Sequence, residues 1–232
     1  MHLPVYYTLL PETGTDPESA SNALLHALPA PVQAGVARYS IAHERLLRVT
    51  GKALLGLMLQ QHHPACTLAQ LKRDRNNRPY LEGTRLHFSI SHSHRLVACT
   101  LSPHTIPGLD AEAMQPIQQA LMQPYFSAAN WQEITASTNP LHTLYQYWTR
   151  KEAALKASGA GLEQADPAQL EIRGNEVWGL DQVYATRSLQ LAPGYAVSLA
   201  TAQPVAEPVL TAVSLPELLQ HYSARPGQYK TK

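Results

Sequence analysis

The stretch Leu86-His87-Phe88-Ser89-Ile90-Ser91-His92-Ser93-His94-Arg95-Leu96-Val97-Ala98-Cys99-Thr100-Leu101 contains two short apolar-rich runs around a polar tip. Leu86 to Ser91 and Leu96 to Leu101 read as strands, and His92-Ser93-His94-Arg95 joins them as a hairpin. Upstream, Leu46, Leu47, Ala53, Leu54, Leu57 and Met58 recur at helical spacing, which predicts a helix from Arg38 to about Gln61. Pro64 stands just beyond its end. Between helix and hairpin, Asp74-Arg75-Asn76-Asn77-Arg78-Pro79 is a polar turn whose proline biases its predecessor away from helix. Leu3 to Leu10 reads as an opening strand, and the Pro-punctuated sequence from Pro11 to Pro31 as a short helix with loops.

Downstream, a second module starts near Thr105. Ile106 to Glu112 is a strand candidate, and Pro124 to Thr135 and Leu141 to Ser158 read as helices. Gly159 and Gly161 break the second helix. Leu170 to Val177, Gln182 to Leu191 and Tyr195 to Ala200 suggest a meander, and Glu217 to Tyr222 one last helical patch before a frayed tail. The order is strand, helix, hairpin, then strand, helices, meander. It predicts an α+β protein of two half-sized units, residues 1–104 and 105–232, and not alternating βαβ units. No repeat is visible at the sequence level.

The chain has 232 residues, 44% hydrophobic and 15% charged, enough to bury a sizeable core. A formal net charge of +1 argues against a general nucleic-acid binder, so an anionic ligand must be held by a local cluster. Cys66 and Cys99 are far apart and in no metal-type spacing, which fits a reduced, cytoplasmic compartment. The first residues carry no signal-peptide pattern, and no window approaches the roughly 20 apolar residues needed to span a bilayer. No membrane is therefore expected as a partner.

Four groups of residues could carry chemistry. On a strand, Asp110 and Glu112 of Gly108-Leu109-Asp110-Ala111-Glu112 point to one face; they are either a solvated pair or hard oxygen ligands for a cation such as magnesium. In the helix containing Trp148-Thr149-Arg150-Lys151-Glu152-Ala153-Ala154-Leu155-Lys156, Glu152 and Lys156 lie one turn apart. They are either a plain i,i+4 pair or a third carboxylate beside a phosphate contact. Ser91 and His92 at the hairpin tip can offer donors to an oxyanion, or can simply satisfy a turn. A zinc site at His92-Ser93-His94 lacks a convincingly spaced third ligand. Arg78 on its turn, with Arg73 and Arg75 nearby, is the best local anion-binding candidate.

Taken in order, the basic turn before Pro79, Phe88-Ser89-Ile90-Ser91-His92-Ser93, Gly108-Leu109-Asp110-Ala111-Glu112 and Trp148 to Gly159 closely resemble the surfactin-synthetase type of 4'-phosphopantetheinyl transferase. That family carries a G-K-P-like turn, an F-N-x-S-H-S stretch, a G-x-D-x-E strand and a W-x-x-K-E-x-x-x-K helix. The similarity runs from about Arg38 to Leu199. Gly161-Leu162, Pro193-Gly194-Tyr195 and Val213-Ser214-Leu215 also look like the family. The chain departs from it in having Asn77 for Gly, Arg78 for Lys and Glu44 for a frequent Asp. Gln33 to Ala37 lacks basic residues that some members place around a 3'-phosphate, a role open to Arg45 and Arg48.

The resemblance implies two similar α+β halves related by a pseudo-twofold axis, with the active site in the cleft between them. It implies transfer of the phosphopantetheine arm of coenzyme A to a serine of an apo acyl or peptidyl carrier protein, with magnesium. Asp110, Glu112 and Glu152 would hold the metal. Arg73, Arg78, Ser91, His92, Asp110, Lys151 and Lys156 would contact the coenzyme, with Lys151 facing the nucleotide. Glu152, Lys156 and His92 would carry the chemistry. The carrier, an acidic helical bundle, would dock on Met114 to Tyr147 through Leu121, Phe126 and Trp131. A monomer is the default expectation.

Overall fold

The computed structural model describes residues 3–160, 165–204 and 207–224. Along the chain run β1 (Pro4–Leu9), α1 (Pro17–Ala27), α2 (Ala30–Ala37), α3 (Ala42–His62), β2 (Leu71–Arg73), β3 (Pro79–Leu81), β4 (His87–Ser93) and β5 (Leu96–Ser102). They are followed by β6 (Gly108–Ala113), α4 (Ala128–Ala136), α5 (Pro140–Ser158), β7 (Glu171–Arg173), β8 (Glu176–Trp178), β9 (Tyr184–Ser188), β10 (Tyr195–Thr201), β11 (Val209–Ala212) and α6 (Leu215–Ser223). The architecture is α+β, and the chain divides into two units.

One unit comprises Pro4–His104 and the described part of Val209–Lys232. Its four-stranded sheet has the order β11-β1-β5-β4. β4 and β5 form the expected hairpin, in register from His87 opposite Ser102 to Ser93 opposite Leu96. The strands extend further than the sequence suggested. His92 and Ser93 also belong to β4, and the turn is only His94-Arg95, with His94 at φ 53°. α3 supplies Leu46, Leu47, Leu54 and Met58 to a core that also contains Phe88, Val97 and Leu101. The region expected to hold one short helix holds two: Asp16 caps α1 by accepting from Glu18 N and Ser19 N, and Pro29 opens α2.

The other unit comprises Thr105–Pro208 and the described part of Met1–Leu3. Its five-stranded sheet has the order β6-β10-β9-β8-β7, crossed by α5. The segment expected as a helix from Pro124 begins instead within a 3-10 turn, Gln123–Tyr125, itself preceded by another, Gln119–Leu121; α4 starts only after the Ser127 cap. α5 starts at Asn139, which accepts from His142 N, and ends at Gly159 in the left-handed region. The 105–232 span read from the sequence ran on through the tail, whereas from Val209 onward the chain joins the first unit: β11 pairs in parallel with β1.

Candidate active site

β6 positions the acidic pair. Alternation along the strand puts Gly108, Asp110 and Glu112 on one face, opposite Ala200, Ser198 and Ala196 of β10. α5 packs on that face, where the Thr149 and Ser198 hydroxyls share a buried 2.8 Å hydrogen bond. The approach of helix to strand is close enough to require glycine. A Cβ at Gly108 would run into the Ala153 carbonyl oxygen and lie 2.6 Å from the Ala157 nitrogen. The glycine of the G-x-D-x-E pattern thus lets two backbones touch, and brings Asp110 under the turn of α5 that carries Glu152 and Lys156.

Lys156 Nζ donates to Asp110 Oδ1 at 2.6 Å and to the Leu109 carbonyl at 3.1 Å. The Asp110 side chain is almost wholly buried, whereas Lys156 keeps about a third of its surface in solvent. Glu152 Oε1 is buried and has no hydrogen-bond partner among the described residues. Burial, with Asp110 and Glu112 adding repulsion and Lys156 partly offsetting it, raises the Glu152 carboxyl from 4.5 to about 7. Three acidic side chains therefore act on one another here. Among the described residues, however, no three His, Cys, Asp or Glu side chains form a ready metal cluster. The expected trio of Asp110, Glu112 and Glu152 is present as an electrostatic group in which Lys156 takes up one Asp110 oxygen. A buried carboxylate oxygen with nothing to bond and an all-oxygen donor set fit a hard divalent cation.

Lys151 lies elsewhere. Fully buried, its ammonium donates to the carbonyls of Tyr125 at 2.9 Å and Pro167 at 2.8 Å and sits 4.5 Å from the Phe126 ring centre. It is not turned outward as the resemblance implied. Trp148 of the same helix packs edge-on against Tyr125. The apolar residues assigned to docking also divide: Phe126 is core, Trp131 packs against it, and only Leu121 is well exposed, with Ile117 and Tyr125 beside it in sequence.

In the other unit, β2 and β3 flank the basic turn. Asp74 Oδ1 accepts from the Asn76 and Arg78 amides, Arg73 donates to the Asn77 carbonyl at 2.7 Å, and Asn77 has φ 61°. That conformation favours glycine and, after it, asparagine, so Asn77 preserves the turn that the family builds with Gly. Arg73, counted among the coenzyme contacts, is thus partly engaged in holding its own loop. Arg45 is engaged too, through the Tyr39 and Ser40 carbonyls and Glu18. The sequence reading overlooked Lys52. Burial lowers its ammonium to about 8, with Arg73 and Arg48 lowering it further. The signal was available: Arg45, Arg48 and Lys52 share one face of α3 at spacings of three and four. Ser91 and His92, as neighbours on β4, point to opposite faces of the sheet, so one phosphate cannot meet both side chains head-on.

The sequence model of the 4'-phosphopantetheinyl transferase superfamily matches residues 107–200, the span from β6 through β10 that carries these carboxylates. Over those residues the chain is similar to the 4'-phosphopantetheinyl transferase superfamily. It is 30% identical over 141 residues to 4'-phosphopantetheinyl transferase Sfp of Bacillus subtilis (strain 168), covering 57% of this chain and 62% of that protein. It is 32% identical over 79 residues to 4'-phosphopantetheinyl transferase gsp of Aneurinibacillus migulanus, 33% of each chain. With 4'-phosphopantetheinyl transferase psf-1 of Bacillus pumilus it shares 26% identity over 182 residues, 70% of this chain and 76% of that protein. The match thus spans less than two thirds of the first two relatives. Of the superfamily-like motifs, Gly161-Leu162 lies outside the described residues.

Proposed function

We propose that this chain is a 4'-phosphopantetheinyl transferase, a magnesium-dependent enzyme that transfers 4'-phosphopantetheine from coenzyme A to a serine of an apo acyl or peptidyl carrier protein, releasing adenosine 3',5'-bisphosphate. The observation that carries the proposal is the Glu152 oxygen, buried without a partner beside Asp110 and Glu112, in the segment that matches the superfamily. Asp110, Glu112 and Glu152 would hold the metal, which when bound neutralises charge on the coenzyme's diphosphate.

The chain's own groups do the rest. Arg78, Arg73, Arg48 and Lys52 hold the 3'-phosphoadenosine end, and Ser91 and His92, from opposite faces of β4, contact different phosphates of the coenzyme. The carrier serine oxygen attacks the β-phosphorus, the bond from that phosphorus to the bridging oxygen breaks, and the serine proton passes to Glu152. Lys156 and His92 stabilise the negative charge on the transferring and departing phosphates. In this reading the two α+β units are similar halves; the basic residues belong to one and the carboxylates to the other. Carrier docking uses Leu121 with Ile117 and Tyr125. The enzyme works as a cytoplasmic monomer, without nucleic acid or membrane. No described helix is long and apolar enough to cross a membrane.

Incubation with coenzyme A, magnesium and a panel of apo carriers, read by intact mass, tests the proposal. One phosphopantetheine should appear on at least one carrier. Loss of phosphate or pantetheine from coenzyme A with every carrier left unmodified would replace transfer with hydrolysis.

A further inference from the structure

On α5, Glu152 and Lys151 are consecutive, so their side chains leave the helix about 100° apart. Glu152 belongs to the face packed on β6, while Lys151 is directed at two segments remote in sequence: the 3-10 turn Gln123–Tyr125 and the 3-10 turn Pro167–Gln169. An ammonium has three N–H groups. Two go to the Tyr125 and Pro167 carbonyls, and the Phe126 ring lies against the charge. No carboxylate among the described residues forms an ion pair with it; Asp166 accepts instead from Ala168 N and Gln169 Nε2. An enclosed ammonium that gives two N–H groups to carbonyls is held by the protein itself, and removing it takes a donor from the Tyr125 and Pro167 oxygens, the latter also accepting from Leu170 N.

We propose that Lys151 is a positioning residue: it ties the segment leading to Phe126 and the Pro167 turn onto α5, setting the presentation of Ile117, Leu121 and Tyr125 to the carrier protein, and makes no contact with coenzyme A. The carrier half of this inference rests on the proposed transferase activity; the enclosure of the ammonium does not. The three exposed apolar residues lie on the segment that Lys151 closes off, between the strand bearing Asp110 and the start of α4.

Amine labelling of the unaltered protein by acetic anhydride, read peptide by peptide, tests the enclosure. Lys151 should label far more slowly than exposed Lys72, and saturating coenzyme A should leave its rate within about twofold. Ready labelling of Lys151 that coenzyme A then blocks would overturn the proposal. Lys151→Met and Lys151→Arg test the consequence. The methionine variant should raise the carrier KM by about tenfold with coenzyme Kd within about twofold, and arginine should recover part of the loss. A tenfold weaker coenzyme Kd with an unchanged carrier KM would also overturn it. Should the methionine variant not fold, the labelling result decides alone. Absence of transfer by the unaltered enzyme would sink the proposed function and leave the labelling result standing.

Discussion

Glu152→Gln should make the protein more stable while making it inactive. Ionising Glu152 in the folded state is disfavoured, because its carboxyl is raised from 4.5 to about 7 by burial and by Asp110 and Glu112. The sign follows from linkage: the unfolded chain releases this proton near 4.5, the folded chain only near 7. Stability is thus fully present below about 4.5, falls as pH rises through about 7, and stays constant above. The whole displacement corresponds to about 3 kcal/mol, and partial solvent access reduces this to about 2 kcal/mol. A neutral glutamine of the same shape escapes that cost. For a chain of this length, thermal melting of metal-free protein at pH 8 should show the variant about 4–8 °C above wild type. The gap should close by pH 4. Magnesium should raise the wild-type melting temperature and leave the variant's nearly unmoved. A variant equal to or less stable than wild type at pH 8, with a gap indifferent to pH, would refute the electrostatic reasoning.

Gly108→Ala should cost about 3 kcal/mol or more in denaturant unfolding, since the new methyl meets the Ala153 backbone and not a movable side chain. Asn77→Gly should be nearly neutral and Asn77→Val should cost about 1–2 kcal/mol by the same assay, because a β-branched residue resists φ 61°. Tyr222→Phe should lose about 1 kcal/mol: its hydroxyl donates to the Ala53 carbonyl at 2.8 Å in the first unit's core, a bond that phenylalanine cannot make.

Much of this was legible because periodicity and punctuation are local. The apolar stripe of α3, the β4–β5 hairpin and the Asn139-to-Gly159 limits of α5 follow from neighbours in sequence. The proximity of Asp110 to Lys156 could not be derived from spacing, since the two are 46 residues apart; motif resemblance supplied it. The extra helix α2 was hidden by prolines that break some helices and open others. Lys151 was read from the motif as facing the nucleotide, and only three-dimensional packing shows carbonyls 16 and 26 residues away accepting from it. Lys52 was missed although it shares a face of α3 with Arg45 and Arg48; only its nearness to Arg73 on β2 needed the fold.

The parallel pairing of β11 with β1 joins Pro4 to Val209, residues at opposite ends of the described chain. During synthesis the first strand therefore waits, one edge unsatisfied, until everything through Pro208 has left the ribosome. The later unit, by contrast, draws on Thr105 to Pro208 and can assemble while its predecessor is still open. An exposed β edge kept waiting that long is a site where a nascent chain can pair wrongly with a neighbour. Chaperone dependence in the cell should track substitutions in Val209–Ala212 more closely than substitutions in the carboxylate-bearing segment.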